Sequence, residues 1–189
     1  MTLLADDTPP WFPLETERLI LRDPREEDFD DIHAYAQLDD VVRYMAWGPN
    51  TPAMTREVLD RWLSAAGGWP RTEVNLVVED KAQARVIGSI RLAIQDEVHR
   101  TADFGYCFHP DAWGRGIGTE AARAILGAAF GPLNLHRVWA TCDVENRGSW
   151  GIMEKLGMRR EGTFRKHLKP RGAWRDTHLY ALLAEEWIG

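Results

Sequence analysis

A glycine-rich turn between a strand-like segment and a helical run limits the folds open to this chain more than any other feature. The turn reads Trp-Gly-Arg-Gly-Ile-Gly-Thr-Glu-Ala over residues 113–121, with three alternate glycines opening the helical run. Glycine lets a backbone approach a ligand closely, and a helix N-terminus offers unpaired N–H donors with a partial positive charge. The pattern therefore predicts a strand-to-helix joint that binds an anion, most suitably phosphate.

Two common phosphate-binding loops do not fit this turn. A Walker loop requires a lysine after its last glycine, whereas Gly118 is followed by Thr119. A dinucleotide-binding fingerprint requires a glycine at the place that Thr119 occupies. ATP and NAD are therefore disfavoured as ligands, and a purely structural turn is the alternative to another phosphate-bearing ligand.

Composition narrows the class of protein. A chain of 189 residues with 44% hydrophobic residues is long enough for one well-filled core, which predicts one domain. The net charge of −6, with scattered basic residues, argues against nucleic-acid binding as the main function. No apolar segment approaches the ~20 residues that span a bilayer, and the N-terminus lacks a secretory signal, so we expect no membrane partner and a cytoplasmic protein. Cys107, Cys142 and the dispersed histidines form no metal-ligand pattern, and no metal is predicted.

Hydrophobic periodicity predicts one mixed α/β domain over residues 16–189, after an extended segment over residues 1–15. The first helix is expected to begin at Pro24, with Asp23 as its N-cap. The element order is βααβββαβαββ, which indicates seven strands with helices on both faces of the sheet. The predicted strands cover residues 16–22, 74–79, 86–94, 102–108, 137–142, 162–168 and 174–183.

Several further motifs accompany the turn in a fixed order: Thr16-Glu17-Arg18-Leu19, Gly105-Tyr106, residues 110–121, Asn146-x-x-Ser149, Glu154-Lys155-Leu156-Gly157-Met158 and Glu161-Gly162. Over residues 16–183 this set resembles the GCN5-related N-acetyltransferases, the GNAT family. More narrowly, it resembles the branch that contains the ribosomal-protein N-terminal alanine and serine acetyltransferases. The resemblance implies a GNAT-like, mostly antiparallel seven-stranded sheet in which the fourth and fifth strands splay apart to admit the pantetheine arm of acetyl-CoA.

The resemblance also implies which residues bind acetyl-CoA. The pyrophosphate would lie on the glycine turn, on Gly114, Arg115, Gly116, Ile117, Gly118 and Thr119. The family usually has Gln or Arg where this chain has Trp113, which puts one side-chain contact in doubt but leaves the glycines intact. A backbone N–H of Cys107 or Phe108 would point at the thioester carbonyl as an oxyanion donor, a contribution of typically ~3 kcal/mol.

Asn146 and Ser149 lie three residues apart at the start of a predicted helix and so share a face. The resemblance implies that Asn146 contacts the cofactor arm and that Ser149 lies near the thiol. The structural alternative is that Asn146 is an N-cap and Ser149 an ordinary residue of the first turn, and both can hold together.

The implied reaction is transfer of the acetyl group to a primary amine by direct attack in a ternary complex. Many relatives protonate the departing thiolate with a tyrosine four residues after the serine, but here that residue is Met153. Ser149 or a water is therefore our hypothesis for the proton donor. Cys107 could instead form a covalent acetyl-cysteine, but we favour the alternative that it is a small buried strand residue without a catalytic role. The candidates for a general base, beside a water chain, are Asp103, Glu120, His109 and His167.

The acceptor is the least determined part of the reaction. We expect the loop over residues 47–52, the second helix and a late hairpin to frame its entrance, the hairpin through Lys169, Arg171, Trp174 and Asp176. A protein N-terminus is the first candidate by analogy, and a small amine such as a polyamine or an aminoglycoside is the second. The acidic balance of the chain suits a cationic acceptor. An alternative function is that of a sensor that binds acyl-CoA without turning it over. Exposed sheet edges also allow a homodimer.

Overall fold

Alternating apolar residues build one eight-stranded sheet in the computed structural model, which describes residues 12–68 and 71–189. The sheet order is β1-β2-β3-β4-β5-β6-β8-β7, and every neighbouring pair is antiparallel except β5 and β6. The strands are β1 (Leu14–Glu15), β2 (Leu19–Arg22), β3 (Glu73–Asp80), β4 (Arg85–Asp96), β5 (Thr101–Phe108), β6 (Arg137–Asp143), β7 (Arg159–Leu168) and β8 (Arg175–Leu183).

The predicted α/β fold is confirmed, but the sheet has eight strands rather than seven, and three α-helices rather than two lie between β2 and β3. The additional strand is β1, which pairs with β2 through Leu14 and Glu15 alone. Two residues are too short to show an alternating pattern, so the sequence gives no sign of it. The extended segment predicted for residues 1–15 lies, over residues 1–11, outside the described part of the chain.

In the described part of the chain, five α-helices cover the two faces of the sheet: α1 (Phe29–Ala36), α2 (Asp39–Val42), α3 (Pro52–Gly67), α4 (Ile117–Phe130) and α5 (Arg147–Lys155). Leu76 of β3 points to the core beneath α4 and α5, while its neighbour Val77 points to the core beneath α1, α2 and α3. This alternation follows from the two-residue period of a strand, and it separates the interior into two hydrophobic layers. Helices on both faces of the sheet are as predicted.

β5 and β6 lie side by side only at their N-terminal ends. Their parallel ladder has three residue pairs and stops at Asp103 and Trp139. Beyond that point β5 continues to Phe108 against β4, and β6 continues to Asp143 against β8. The strands therefore diverge, as predicted, and the C-terminal end of β5 has no strand partner on the side of the gap.

Among residues 12–68 and 71–189, no helix combines the length and the apolar character needed to cross a membrane.

Candidate functional site

The gap between β5 and β6 opens into a cleft of about 750 Å³. Its walls are the end of β5, the glycine turn with the start of α4, the first turns of α5, and α2 with the residues that follow it. Eight of the ten residues that the sequence analysis assigned to cofactor binding or catalysis line this cleft: Cys107, Phe108, Gly114, Gly116, Gly118, Thr119, Asn146 and Ser149. The fold thus brings together segments far apart in the chain around one concave space.

The glycine turn gives α4 an uncapped N-terminus that faces the cleft. Gly114 and Gly116 have φ angles of +70° and +79°, in the left-handed region that glycine adopts without strain. Gly116 is the N-cap residue, and no side chain caps the helix. The first N–H groups of a helix have no partner within it, so Gly118 and Thr119 present donors and the positive end of the helix dipole to the cleft. Such a terminus suits an anion.

Two residues of the turn point their side chains away from the cleft. Ile117 is fully buried in the core beneath α4. The Arg115 guanidinium donates from Nη1 to the Asp111 carbonyl at 3.1 Å and lies with Nη2 3.9 Å from Asp80 Oδ2. In this arrangement neither side chain lines the cleft, and Arg115 and Ile117 offer it their backbone.

The register of β5 on β4 distinguishes the two proposed oxyanion donors. Phe108 pairs with Gly88 and Cys107 with Ser89, and the N–H of His109 donates to the Ile87 carbonyl at 2.8 Å. Backbone N–H groups alternate between the two sides of a strand, so the Cys107 N–H points at β4 and the Phe108 N–H points into the gap. The register therefore favours Phe108 over Cys107 as the donor.

Trp113 packs beside the end of β5 and holds it. Its indole Nε1 donates to the Phe108 carbonyl at 3.0 Å, and its half-exposed ring lines the cleft. The substitution of Trp113 for the usual Gln or Arg thus supplies a hydrogen bond to the strand end that carries the Phe108 N–H.

The N-terminus of α5 is built by a local cap and an ion pair behind it. Asn146 Oδ1 accepts from the Ser149 N–H at 3.1 Å, so Asn146 is an N-cap. An ion pair stabilises the turn between β6 and Asn146. The buried Asp143 carboxylate accepts from Arg175 Nε at 2.7 Å and from Arg175 Nη2 at 2.9 Å. These contacts fix the place of Asn146 and Ser149 on the cleft wall.

Tyr106 is a cleft residue to which the sequence analysis gave no role. Its hydroxyl donates to the Ser149 carbonyl at 2.9 Å and lies 3.1 Å from Ser149 Oγ. Burial raises the pKa of Tyr106 above its usual value, so the phenol stays protonated at neutral pH. The signal that could have found it is the period of β5, which puts Tyr106 and Phe108 on one face. Met153, at the position where the resemblance implies a tyrosine in many family members, is buried in the core.

The four candidate bases are engaged away from the cleft. Asp103 accepts from Arg91 Nη1 at 2.6 Å, and Glu120 accepts from the Arg18 N–H at 3.0 Å. His109 Nδ1 lies 3.3 Å from a carboxylate oxygen of Asp111 and His167 Nδ1 lies 2.8 Å from a threonine hydroxyl. None of the four is among the residues that line the cleft. A water chain is the remaining candidate. In the described part of the chain, no three or more His, Cys, Asp or Glu side chains are grouped to hold a metal ion.

Glu120 instead ties α4 to the start of β2. Burial alone raises the pKa of Glu120, but hydrogen bonds from Thr16 and Arg18 outweigh it and hold that pKa below its usual value. A lowered carboxyl pKa contributes stability above the unfolded pKa of ~4.3 that is lost as the pH falls through the folded value. We expect Glu120→Gln to lose about 1 kcal/mol at pH 7, and urea unfolding should show this gap to wild type narrowing toward pH 4. A gap that is equal at both pH values would contradict this function of the carboxylate.

Cys107 lines the cleft, but its side chain points to the sheet face opposite to that of Phe108. Its side chain belongs to the core beneath α1, α2 and α3, and burial raises the pKa of its thiol to about 12. The thiol is therefore protonated at neutral pH and a poor nucleophile. We expect Cys107→Ala to keep turnover within about threefold of wild type, a change of under ~0.7 kcal/mol in the barrier. Loss of transfer with intact acetyl-CoA binding would instead indicate a covalent acetyl-cysteine.

Comparison with known proteins agrees with this geometry. The model of the acetyltransferase (GNAT) domain family matches residues 18–159. The uncharacterized N-acetyltransferase YnaD of Bacillus subtilis is 33% identical over 92% of this chain and 98% of its own length. The crystal structure of a GNAT-family acetyltransferase from Bacillus anthracis superposes with a TM-score of 0.81 at 33% identity, covering 91% of this chain and 98% of that one.

Other relatives differ in the ligands or acceptors that their names state. Mycobacterium smegmatis RimJ, in complex with CoA-disulfide, has a TM-score of 0.75 at 26% identity and covers 89% of this chain and 83% of its own. The putative ribosomal N-acetyltransferase YdaF of Bacillus subtilis is 37% identical over 54% of this chain and 56% of its own length. The spermidine N(1)-acetyltransferase of Vibrio cholerae is 28% identical over 61% of this chain and 66% of its own length.

Proposed function

The chain belongs to the GNAT family of N-acetyltransferases, and from that premise we propose that it transfers the acetyl group of acetyl-CoA to a primary amine in a ternary complex. The observation that carries the proposal is the uncapped start of α4 at one end of the gap between β5 and β6. A diphosphate and a long polar arm are the two parts of acetyl-CoA that such a terminus and such a gap can receive. The complex of RimJ with CoA-disulfide supports the same assignment.

The pyrophosphate is proposed to lie on the turn from Gly114 to Thr119. Its oxygens accept from the backbone N–H groups of the turn and of the first turn of α4, where the helix dipole adds attraction. Because Gly114 and Gly116 have positive φ angles, this backbone shape is accessible to glycine with little strain. Asn146 and Ser149 then face the pantetheine arm from the other wall of the cleft.

The Phe108 N–H is proposed to donate to the thioester oxygen as the amine attacks the carbonyl carbon. Negative charge on that oxygen grows in the transition state, so a fixed donor stabilises it more than the ground state. One such donor contributes typically ~3 kcal/mol. The hydrogen bond from Trp113 to the Phe108 carbonyl holds the donor in place without occupying its N–H.

Ser149 is proposed to protonate the departing thiolate when the carbon–sulfur bond breaks. Its hydroxyl gives its proton to sulfur and takes one either from water or from the Tyr106 hydroxyl, 3.1 Å away, once that hydrogen turns from the Ser149 carbonyl to Ser149 Oγ. Tyr106 then regains a proton from water. The attacking amine loses its own proton to a water in the cleft. A phenol on β5 thereby serves the proton path that Met153 cannot serve from α5.

A protein N-terminus is our first candidate for the acceptor. Part of the chain is more similar to a putative ribosomal N-acetyltransferase, at 37% identity, than to a spermidine N(1)-acetyltransferase, at 28%. We also infer a cytoplasmic location, because Cys107 and Cys142 are free thiols, as is usual in a reducing compartment. A homodimer would have the edge strand β7 available for pairing.

A screen of acceptors with acetyl-CoA, read by mass spectrometry, tests the proposal. Peptides with free N-termini should gain ~42 Da, because an acetyl group replaces one hydrogen. One CoA should be released for each peptide acetylated. Polyamines and aminoglycosides belong in the same screen as the second acceptor class. A sensor without catalytic activity would bind acetyl-CoA and release no CoA with any acceptor, and that result would overturn the proposal.

A further inference from the structure

The hairpin that joins β7 to β8 carries a charge opposite to that of the whole chain. Residues 163–176, here termed the basic hairpin, hold five Lys or Arg residues and one acid, a formal charge of +4 in a chain of net charge −6. The rest of the molecule is therefore more acidic than the chain as a whole. An asymmetry of this kind sets up a local field that attracts anionic partners to one place on the surface.

The basic hairpin is fastened to the wall of the cleft. Arg171 Nη1 donates to the Arg43 carbonyl at 3.0 Å, and Arg171 Nη2 donates to the Val42 carbonyl at 2.7 Å. Arg43 and its neighbours Tyr44 and Met45 line the cleft. The hairpin therefore lies at the rim of the cleft, on the side of α2.

Most of the positive charge on the basic hairpin is available to a partner. In the described part of the chain, no ion pair joins Arg165, Lys166, Lys169 or Arg171 to a carboxylate, whereas Arg175 is paired with Asp143 and Glu145. Arg165 and Lys169 are exposed, and the Lys169 ammonium lies 5.6 Å from the ring of Trp174, itself 57% exposed. This surface offers cations beside an aromatic ring.

The cleft itself offers little to an acceptor with several positive charges. Among the described residues that line it, Asp40 is the only acidic one, and the Asp40 carboxylate is paired with Arg43 Nη2 at 2.6 Å. Arg147 and Lys155 add positive charge to the same lining. The additional ammonium groups of a polyamine would enter this positive potential, and the described cleft lining has no free carboxylate to form ion pairs with them. The net charge of the whole chain, which suits a cationic acceptor, is thus misleading at this entrance.

We propose that the acceptor is a peptide N-terminus followed within a few residues by Asp or Glu, which the basic hairpin attracts to the cleft. The inference rests on the proposed function, because it names the class of amine that the same site acetylates. The α-amine enters the cleft past Arg43 and Tyr44, and the carboxylates behind it stay at the rim near Arg165 and Lys169. Charge attraction of this kind acts mainly on association and weakens with salt.

Three peptides of one length test the inference. All three begin with Ser and differ in the next four residues. The acidic peptide has Asp and Glu at these positions, the second peptide has Gln, and the third has Lys. We expect kcat/KM for the acidic peptide to exceed that for the Gln peptide by about tenfold at low salt, and to lose most of this advantage at high salt. The double variant Arg165→Glu, Lys169→Glu should abolish the advantage, with unchanged activity on the Gln peptide and unchanged acetyl-CoA affinity. Neither substituted side chain lines the cleft.

The outcomes separate this inference from the proposed function. Equal rates with all three peptides, a preference for the Lys peptide or spermidine, or a preference that survives the double variant would overturn the inference while acetylation stands. Acetylation of no peptide and no amine would overturn the proposed function itself. An RNA oligonucleotide that binds through Arg165 and Lys169, while peptide rates show no charge preference, would assign the basic hairpin to nucleic acid and overturn the inference.

Discussion

Gly118→Val is expected to weaken acetyl-CoA binding by at least about a hundredfold, or ~2.7 kcal/mol. A Cβ at Gly118 would lie 2.7 Å from Ile152 Cδ1 and 3.3 Å from Phe108 Cε2, so the side chain must displace its neighbours or enter the cleft. Both neighbours belong to the cleft lining, and the N–H of Gly118 is one of the proposed pyrophosphate donors. Isothermal titration calorimetry with CoA measures the loss directly.

Gly127→Val on the same helix is the matched control. A Cβ at Gly127 meets nothing within 4 Å, and Gly127 does not line the cleft. This variant should bind CoA as wild type does, so the pair separates a local effect at the N-terminus of α4 from a general effect of valine in the helix. A folded Gly118→Val protein with wild-type affinity would contradict a phosphate site at this turn.

Ser149→Ala is expected to lower kcat by about a hundredfold, within the 10²–10⁴ range of general acid–base catalysis. The variant keeps the Ser149 N–H that Asn146 caps, so α5 and the affinity for acetyl-CoA should be unchanged. Tyr106→Phe should cost less, about tenfold, because it removes the partner of Ser149 rather than the donor itself. Pre-steady-state release of CoA and calorimetry together separate turnover from binding.

The double variant Ser149→Ala, Tyr106→Phe sharpens this prediction. If the two hydroxyls act in one proton path, the double variant should be little slower than Ser149→Ala, because residues in one network are not additive. Unchanged turnover in Ser149→Ala would remove Ser149 from the path. A much larger loss in Tyr106→Phe than in Ser149→Ala would make Tyr106 the direct donor.

Local patterns in the sequence predicted the features of the fold that depend on near neighbours. The glycines of the turn predicted the start of α4, because only backbone conformations open to glycine fit there. The order of the motifs identified the resemblance to the GNAT family, and that resemblance predicted the divergence of β5 and β6. The sequence could not choose between Cys107 and Phe108, because the direction of a backbone N–H depends on the register with β4.

Contacts between distant residues account for the rest. The first helix was expected at Pro24 with Asp23 as its cap, but the helical segment starts with a 3-10 turn at Glu26–Asp28, and α1 follows from Phe29. Asp23 is paired with Arg71 at 2.8 Å instead, and Asp28 accepts from the Arg25 N–H at 2.7 Å. No local pattern announces a partner 48 residues away.

The cleft walls show the same limit. Tyr106 and Ser149 are 43 residues apart, and Arg171 and Arg43 are 128 residues apart, yet each pair is in hydrogen-bond contact. The four candidate bases were chosen by residue type and position in the sequence, and contacts across the fold engage Asp103, Glu120 and His167 elsewhere, while His109 contacts its near neighbour Asp111. Residue type identifies possible chemistry, but only the fold determines which groups share one space.

A crystal structure of the protein with CoA tests the central claim most directly, namely that the start of α4 and the splayed strands hold acetyl-CoA. Pyrophosphate oxygens should lie within about 3.2 Å of the N–H nitrogens of Gly116, Gly118 and Thr119, with the pantetheine arm along the gap and its thiol near Ser149 Oγ and the Phe108 N–H. CoA bound with its pyrophosphate away from this turn, or with its thiol outside the gap between β5 and β6, would contradict the claim.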